Sequence, residues 1–177
     1  MQAATALTSL VGPATIGIVL TAAAIDLDRR RIPNWLTFGS WIAALPVQIG
    51  NHGMTAGSTA WLYGWLLGLA LFLPFYLLRG MAAGDVKLLA AVGAWLGASM
   101  ALKIALATCV IGGIWALVLL LVTRQVRTTL SRVGHMLIAG VIPGATSAQP
   151  DSSVSAGSIP YGVAIAAGTL TMLFAST

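Results

Sequence analysis

The sequence predicts an all-α, polytopic membrane protein, a single domain (1–177) built as a bundle of six transmembrane helices, and three observations predict it. The 177 residues are 58% hydrophobic and 7% charged, with a mean hydropathy of +0.94, whereas about a quarter of the residues of a soluble chain are charged. Six apolar stretches approach the roughly 20 residues that cross a bilayer. Basic residues cluster in alternate gaps between those stretches, as the positive-inside rule requires.

The first stretch runs from Leu7 to Ile25. No basic region precedes it and no small-residue cleavage site leads into a polar chain, so it reads as a retained helix rather than a removed signal peptide. The next five are Trp35 to Ile49, Ser58 to Leu78, Val86 to Gly97, Ala101 to Val122 and Ile159 to Phe174. The second, fourth and sixth are short for a bilayer of about 30 Å, so their ends must extend into polar flanks or the membrane must thin locally. Between the fifth and sixth, the piece from His135 to Gly144 is too short to span and too apolar for a free loop, which predicts an interfacial or re-entrant segment. Residues 145–158, rich in Ser, Ala and Gly, predict a flexible loop, with Asp151 inside it as a solvated residue.

Charge sets the orientation. Arg29, Arg30 and Arg31 fall in the first gap, Arg79 and Lys87 around the third, and Arg124, Arg127 and Arg132 in the fifth; only Lys103 falls in an even gap. The odd gaps are therefore predicted to be cytoplasmic, with both chain ends outside. The net charge of +5 belongs to those loops and predicts contact with the lipid bilayer, not with nucleic acid.

Four residues are acidic, and there is no glutamate. Asp26 closes the first apolar stretch and Asp85 opens the fourth, so the predicted topology places both at the cytoplasmic boundary. Taken singly, Asp26 reads as a helix cap or a partner for the arginines, and Asp85 as an N-terminal cap. An acid at the edge of an apolar segment is also a functional candidate. As the two acids on one side of the membrane, they read together as a catalytic pair. Asp28, two positions from Asp26, lies about 200° further round a helix, so one of the two can face the bundle and the other is expected to meet water or Arg31.

Two carboxylates sharing a site do not both ionise readily, so one keeps a proton. The charged member can take a proton from water, which attacks a scissile carbonyl, while the protonated member donates to the carbonyl oxygen. Helix dipoles predict that Asp85, at a helix N-terminus, is the charged member and that Asp26, at a C-terminus, holds the proton. No cofactor or metal is expected: His52 and His135 fall in different gaps, and the lone Cys109 reads as a small packing residue in the fifth helix. The pairs Gly64/Gly68 and Gly93/Gly97 suggest close packing within the chain rather than dimerisation. Trp35, Trp41, Trp61, Trp65, Trp95 and Trp115 suggest interfacial belts.

The pieces IDLDRRRIPNWLT and GMAAGDVKLLAAVGAWLG, with IPYGVAIAAG near the end, resemble the prepilin peptidases, GxGD-type intramembrane aspartic proteases that remove basic leaders from type IV prepilins and preflagellins. The resemblance implies catalytic roles for Asp26 and Asp85, and motif roles for Pro33, Asn34, Gly84 and Lys87. It also implies a prepilin-like protein substrate. Asp28 is expected to receive the leader's basic residues. Ala82 replaces the first glycine of GxGD, and the extra methyl is tolerable there if the backbone keeps a negative φ. Without a cysteine-rich region the chain is similar to the compact stand-alone form of Tad/Flp systems, for which no methyltransferase activity is expected. Two other readings use the same residues: a small transporter or proton relay employing the two acids, and a non-catalytic assembly subunit of a pilus or secretion system.

Overall fold

The computed structural model describes residues 2–78, 80–123 and 161–175. Arg79, Arg124, Arg127, Arg132, His135, the 135–144 segment, the 145–158 loop and Asp151 lie outside them. Six helices form the described chain: α1 (Gln2–Arg29), α2 (Asn34–His52), α3 (Met54–Leu77), α4 (Ala83–Leu96), α5 (Ala98–Thr123) and α6 (Tyr161–Ala175). Contacts divide the chain into one compact unit of Met1–Ile111 with Pro160–Thr177 and another of Gly112–Ile159. The candidate site lies in the first.

The first, second and fifth expected stretches lie wholly within helices; the third and fourth end one residue beyond theirs, at Leu78 and Gly97, and residues 159–160 of the sixth lie outside the described residues. α1 adds a turn that carries Asp26 and Asp28, and α4 starts three residues early and takes in Asp85. Stretches of α1 (Leu10–Arg29), α3 (Met54–Leu77) and α5 (Ala98–Val118) are long and apolar enough to cross a membrane. α6 is apolar but has 15 residues, and α4 has 14, so α4 is only about 21 Å long.

Helix α4 sits at the centre. Ten of its residues, Asp85, Val86 and Leu88 through Trp95, are buried, the mark of a helix surrounded on all sides by protein. It packs on α3 and α2, and touches α1 and α6. Close approach comes from small residues. A Cβ on Gly64 would collide with the backbone of Gly93, one on Gly93 with that of Gly64, and one on Gly68 would lie 2.6 Å from the Leu89 carbonyl oxygen. The glycine pattern thus packs α3 on α4 within the chain. Gly97 has a different use: with φ +83 and open space around it, it turns the chain from α4 into α5.

The tryptophans also divide. Trp35 and Trp115 are exposed, but Trp41 stacks on Trp61 at 4.9 Å and tilts over Trp65 at 5.1 Å. Trp95 is buried, and its indole N–H donates to the Ser40 carbonyl at 2.9 Å. These four tie α2 to α3 and α4 instead of forming a belt, because a large flat ring fills the space that the glycine contacts leave beside them. Gln48 completes the tie, its amide donating to the carbonyls of Ala94 (3.1 Å) and Trp95 (2.8 Å) at the end of α4. Cys109 is exposed on α5 and does not pack in the unit.

Candidate active site

Helical periodicity decides which acid on α1 turns inward. Thr15, Val19, Ala22 and Asp26 are buried and follow one another at spacings of four, three and four residues, which is a single stripe along the helix. Asp26 is the last member of the stripe that packs into the core, and it is 7% exposed. Asp28 falls off the stripe. Its side chain is 77% exposed and pairs with Arg29 at 3.5 Å, not with Arg31; so exposed a pair contributes little.

After Arg29 the chain leaves the helix. The Arg30 amide donates to the Asp26 carbonyl at 2.8 Å, and Arg30 adopts φ +51, the one positive φ outside glycine among the described residues. A left-handed residue at a helix C-terminus is ordinarily glycine. Ile32 then buries itself, and Pro33 occupies the N-cap of α2 with φ −70. Proline fits there because its fixed φ suits the start of a helix and no donor is lost from the ladder.

The second motif meets the first residue by residue. A Cβ on Gly84 would lie 3.1 Å from the Ile32 Cβ, so a glycine lets the start of α4 close on the α1–α2 turn. Lys87 donates to the Asn34 side-chain oxygen at 3.0 Å, and its ammonium stands 5.3 Å from the Phe38 ring centroid, within cation–π range. Ala82 is the N-cap of α4 with φ −79 and ψ 150. Its negative φ accepts an L side chain without strain, so the departure from the glycine pattern places no demand on the backbone.

These junctions enclose a cleft of about 340 Å³ with Asp26 and Asp85 among its walls, together with Arg30, Arg31, Asn34 and Lys87. Asp85 is 4% exposed, and its carboxyl accepts a hydrogen bond from the Ala82 backbone N–H. Its own N–H donates to the Ala82 carbonyl at 3.2 Å, so Asp85 supplies the N3 half of a capping box while the alanine N-cap offers no side chain for the other half. A wider cavity of about 690 Å³ borders the same turn, lined by Asp28, Arg29, Arg31 and Trp35 among others. Asp28 is therefore not in the cleft that holds the other two acids. Among the described residues no cluster of His, Cys, Asp or Glu could hold a metal ion.

One neighbour has no role in the sequence reading. The Gly162 backbone N–H, in the first turn of α6, donates to Asp26 Oδ2 at 3.0 Å. The signal was present in IPYGVAIAAG, where proline, tyrosine and glycine open an apolar helix, but nothing local said which side chain would face that helix start.

A helical protein with membrane-length apolar segments and a buried pair of acids in a cleft at its helix ends has the form of a membrane peptidase. Comparison with known families supplies the particular one: the model of the type IV leader peptidase family matches residues 14–117, and the chain belongs to that family. The match covers more than half the chain and includes both Asp26 and Asp85. No curated protein and no solved structure matches. Family and apolar helices together identify an integral membrane peptidase of the prepilin-peptidase type.

Proposed function

We propose that this protein is an aspartic endopeptidase that cuts the basic leader from prepilin-like substrates at the cytoplasmic face of the inner membrane, with Asp26 and Asp85 as its catalytic acids. The observation that carries this reading is the cleft itself: two carboxyl groups 59 positions apart in the sequence are buried in the walls of one small cleft. One carboxylate takes a proton from water, the water attacks the scissile carbonyl, and the second carboxyl protonates the carbonyl oxygen. Burial favours this division, since a low-dielectric site makes double ionisation expensive.

In this reading all six helices cross the bilayer and the odd gaps face the cytoplasm. α4 reaches membrane depth only at its centre, surrounded by its neighbours, which is how a helix of about 21 Å is accommodated in a bilayer of about 30 Å. The cleft then opens where a substrate's basic leader meets its apolar helix. Methylation of the new N-terminus is left to another protein. Cleavage of a membrane-embedded prepilin by purified protein, with Asp26→Asn and Asp85→Asn alongside, tests the proposal. Cleavage that persists in either variant would overturn the assignment of the acids. A wild-type chain that cleaves no such substrate would leave the relay and assembly-subunit readings in its place.

A further inference from the structure

The helix dipoles of α1 and α4 alone make Asp26 the protonated acid and Asp85 the charged one. The cleft contains a third helix end, which that assignment omits. α6 begins at Tyr161, so the Gly162 N–H is among the four amides that have no partner within their own helix. It points at Asp26 Oδ2 from 3.0 Å. A helix N-terminus offers an anion both an N–H donor and a favourable dipole, and a direct bond at this distance acts more strongly than the diffuse field of α1's far end.

The approach requires glycine. A Cβ on Gly162 would stand 2.8 Å from Asp26 Oδ2, 3.0 Å from its Cβ and 3.2 Å from its Cγ. Asp26 is fixed by the packed stripe of α1, and α6 packs along α1, so neither side can retreat without opening the contact between the helices. The charged groups lining the cleft round Asp26 are Arg30 and Arg31 from the α1–α2 turn, and Asp85 and Lys87 from α4. Tyr161 on α6 is a further titratable neighbour of the pair. The three cations favour charge on the acids, and Arg30 follows the last turn of Asp26's own helix. Asp85 has one backbone donor, from within its own turn.

Resting on the aspartic-peptidase reading, we propose that Gly162 is a positioning residue: its N–H and its missing side chain hold Asp26 as the carboxylate that activates water, leaving Asp85 as the acid that protonates the carbonyl oxygen. This reverses the assignment from the dipoles of α1 and α4. The proton moves from water to Asp26 as the new C–O bond forms, and from Asp85 to the carbonyl oxygen of the tetrahedral intermediate, so charge balances across the pair.

The chain has four aspartates and no glutamate, so carboxyl ¹³C NMR of aspartate-labelled full-length protein in lipid nanodiscs can follow every acid, each signal assigned by its Asp→Asn variant. With the pair intact, the Asp26 signal should change first as pH rises and that of Asp85 second, as a coupled titration. Gly162→Ala should move the Asp26 step upward by about one to two pH units, the size expected for a hydrogen bond to a charged group. In cleavage of a synthetic prepilin-like peptide, the same variant should lower kcat at neutral pH by about tenfold or more, with KM within about twofold. The acidic limb of its pH profile should move in the same direction as the Asp26 signal. Asp85 ionising first, or an Asp26 step that Gly162→Ala leaves in place, would overturn the inference. The NMR needs no substrate, so it decides the proton's place even where cleavage fails; cleavage that survives Asp26→Asn or Asp85→Asn would instead sink the peptidase reading on which the roles rest.

Discussion

The two ends of the α2–α4 bundle reverse the chain in opposite ways. At one end α2 passes to α3 through Gly53, and α4 to α5 through Gly97, each a single residue with φ near +85 and ψ 169, a conformation open essentially to glycine alone. At the other end the turn of 30–33 carries arginines, a buried isoleucine and a proline N-cap, and the start of α4, with Gly84 in its first turn, closes on it. There the residue with positive φ is Arg30, not glycine. Where the chain only has to turn round, the least strained residue serves. Where it lines a cleft, an arginine carries the left-handed backbone instead, which makes that residue a position to test for a role.

The comparison breaks most clearly at the acids. Asp26→Asn and Asp85→Asn should each reduce cleavage by about 10²- to 10⁴-fold, the contribution of an acid or base in the transition state, with helicity and membrane insertion unchanged by circular dichroism and carbonate extraction. Equal loss of structure in both variants would make them framework residues and remove the contrast between the two ends.

Next in size are the glycine contacts that hold α3 on α4. Gly64→Leu and Gly93→Leu each drive a side chain into the facing backbone, and should destabilise by about 1–3 kcal/mol or more, seen as a lower unfolding midpoint in detergent with residual activity falling in step. Gly97→Ala meets no atom within 4 Å, so its effect, about 1–3 kcal/mol, should come from the backbone alone. Its cleavage rate at a temperature where it is folded should match the wild type.

Arg30→Gly is the mirror of Gly97→Ala. It should raise the unfolding midpoint by the equivalent of about 1 kcal/mol, as left-handed strain is released, while lowering kcat/KM because a cation leaves the cleft. A variant both less stable and less active would mean that the arginine is held by packing and the contrast between the ends is accidental. The smallest effect is expected at Asp28, whose exposed pair with Arg29 adds little to stability. Asp28→Asn should raise KM more than it lowers kcat if this acid receives a basic leader, and equal kinetics on basic and neutralised leaders would count against that role.

Much of this molecule was legible in its sequence, for reasons that are local. Apolar runs of this length favour helices, which satisfy their own backbone groups, and the described part of each of the six stretches is helical but for the end residues Leu78 and Gly97. Rarity drew attention to the candidate site: with so few acids in the chain, Asp26 and Asp85 stood out, and helical spacing put Asp26 and Asp28 on different faces, though only the buried stripe of α1 shows which of them turns inward. The glycines of α3 and α4 were legible as packing residues, since small side chains permit close approach wherever a partner exists.

Tertiary structure decided what depends on the partner. Four tryptophans joined an internal cluster because α2, α3 and α4 left ring-sized space, whereas their spacing along the chain fitted a belt equally well. Cys109 faced outward because α5 turned that side away from the unit. Above all, the backbone N–H that meets the Asp26 carboxyl comes from Gly162, 136 residues away. A sequence specifies the helix an acid belongs to, and so the dipole of that helix, but the nearest N–H in a folded chain comes from whichever helix happens to begin beside it, and at hydrogen-bond distance that one group outweighs the field of the acid's own helix.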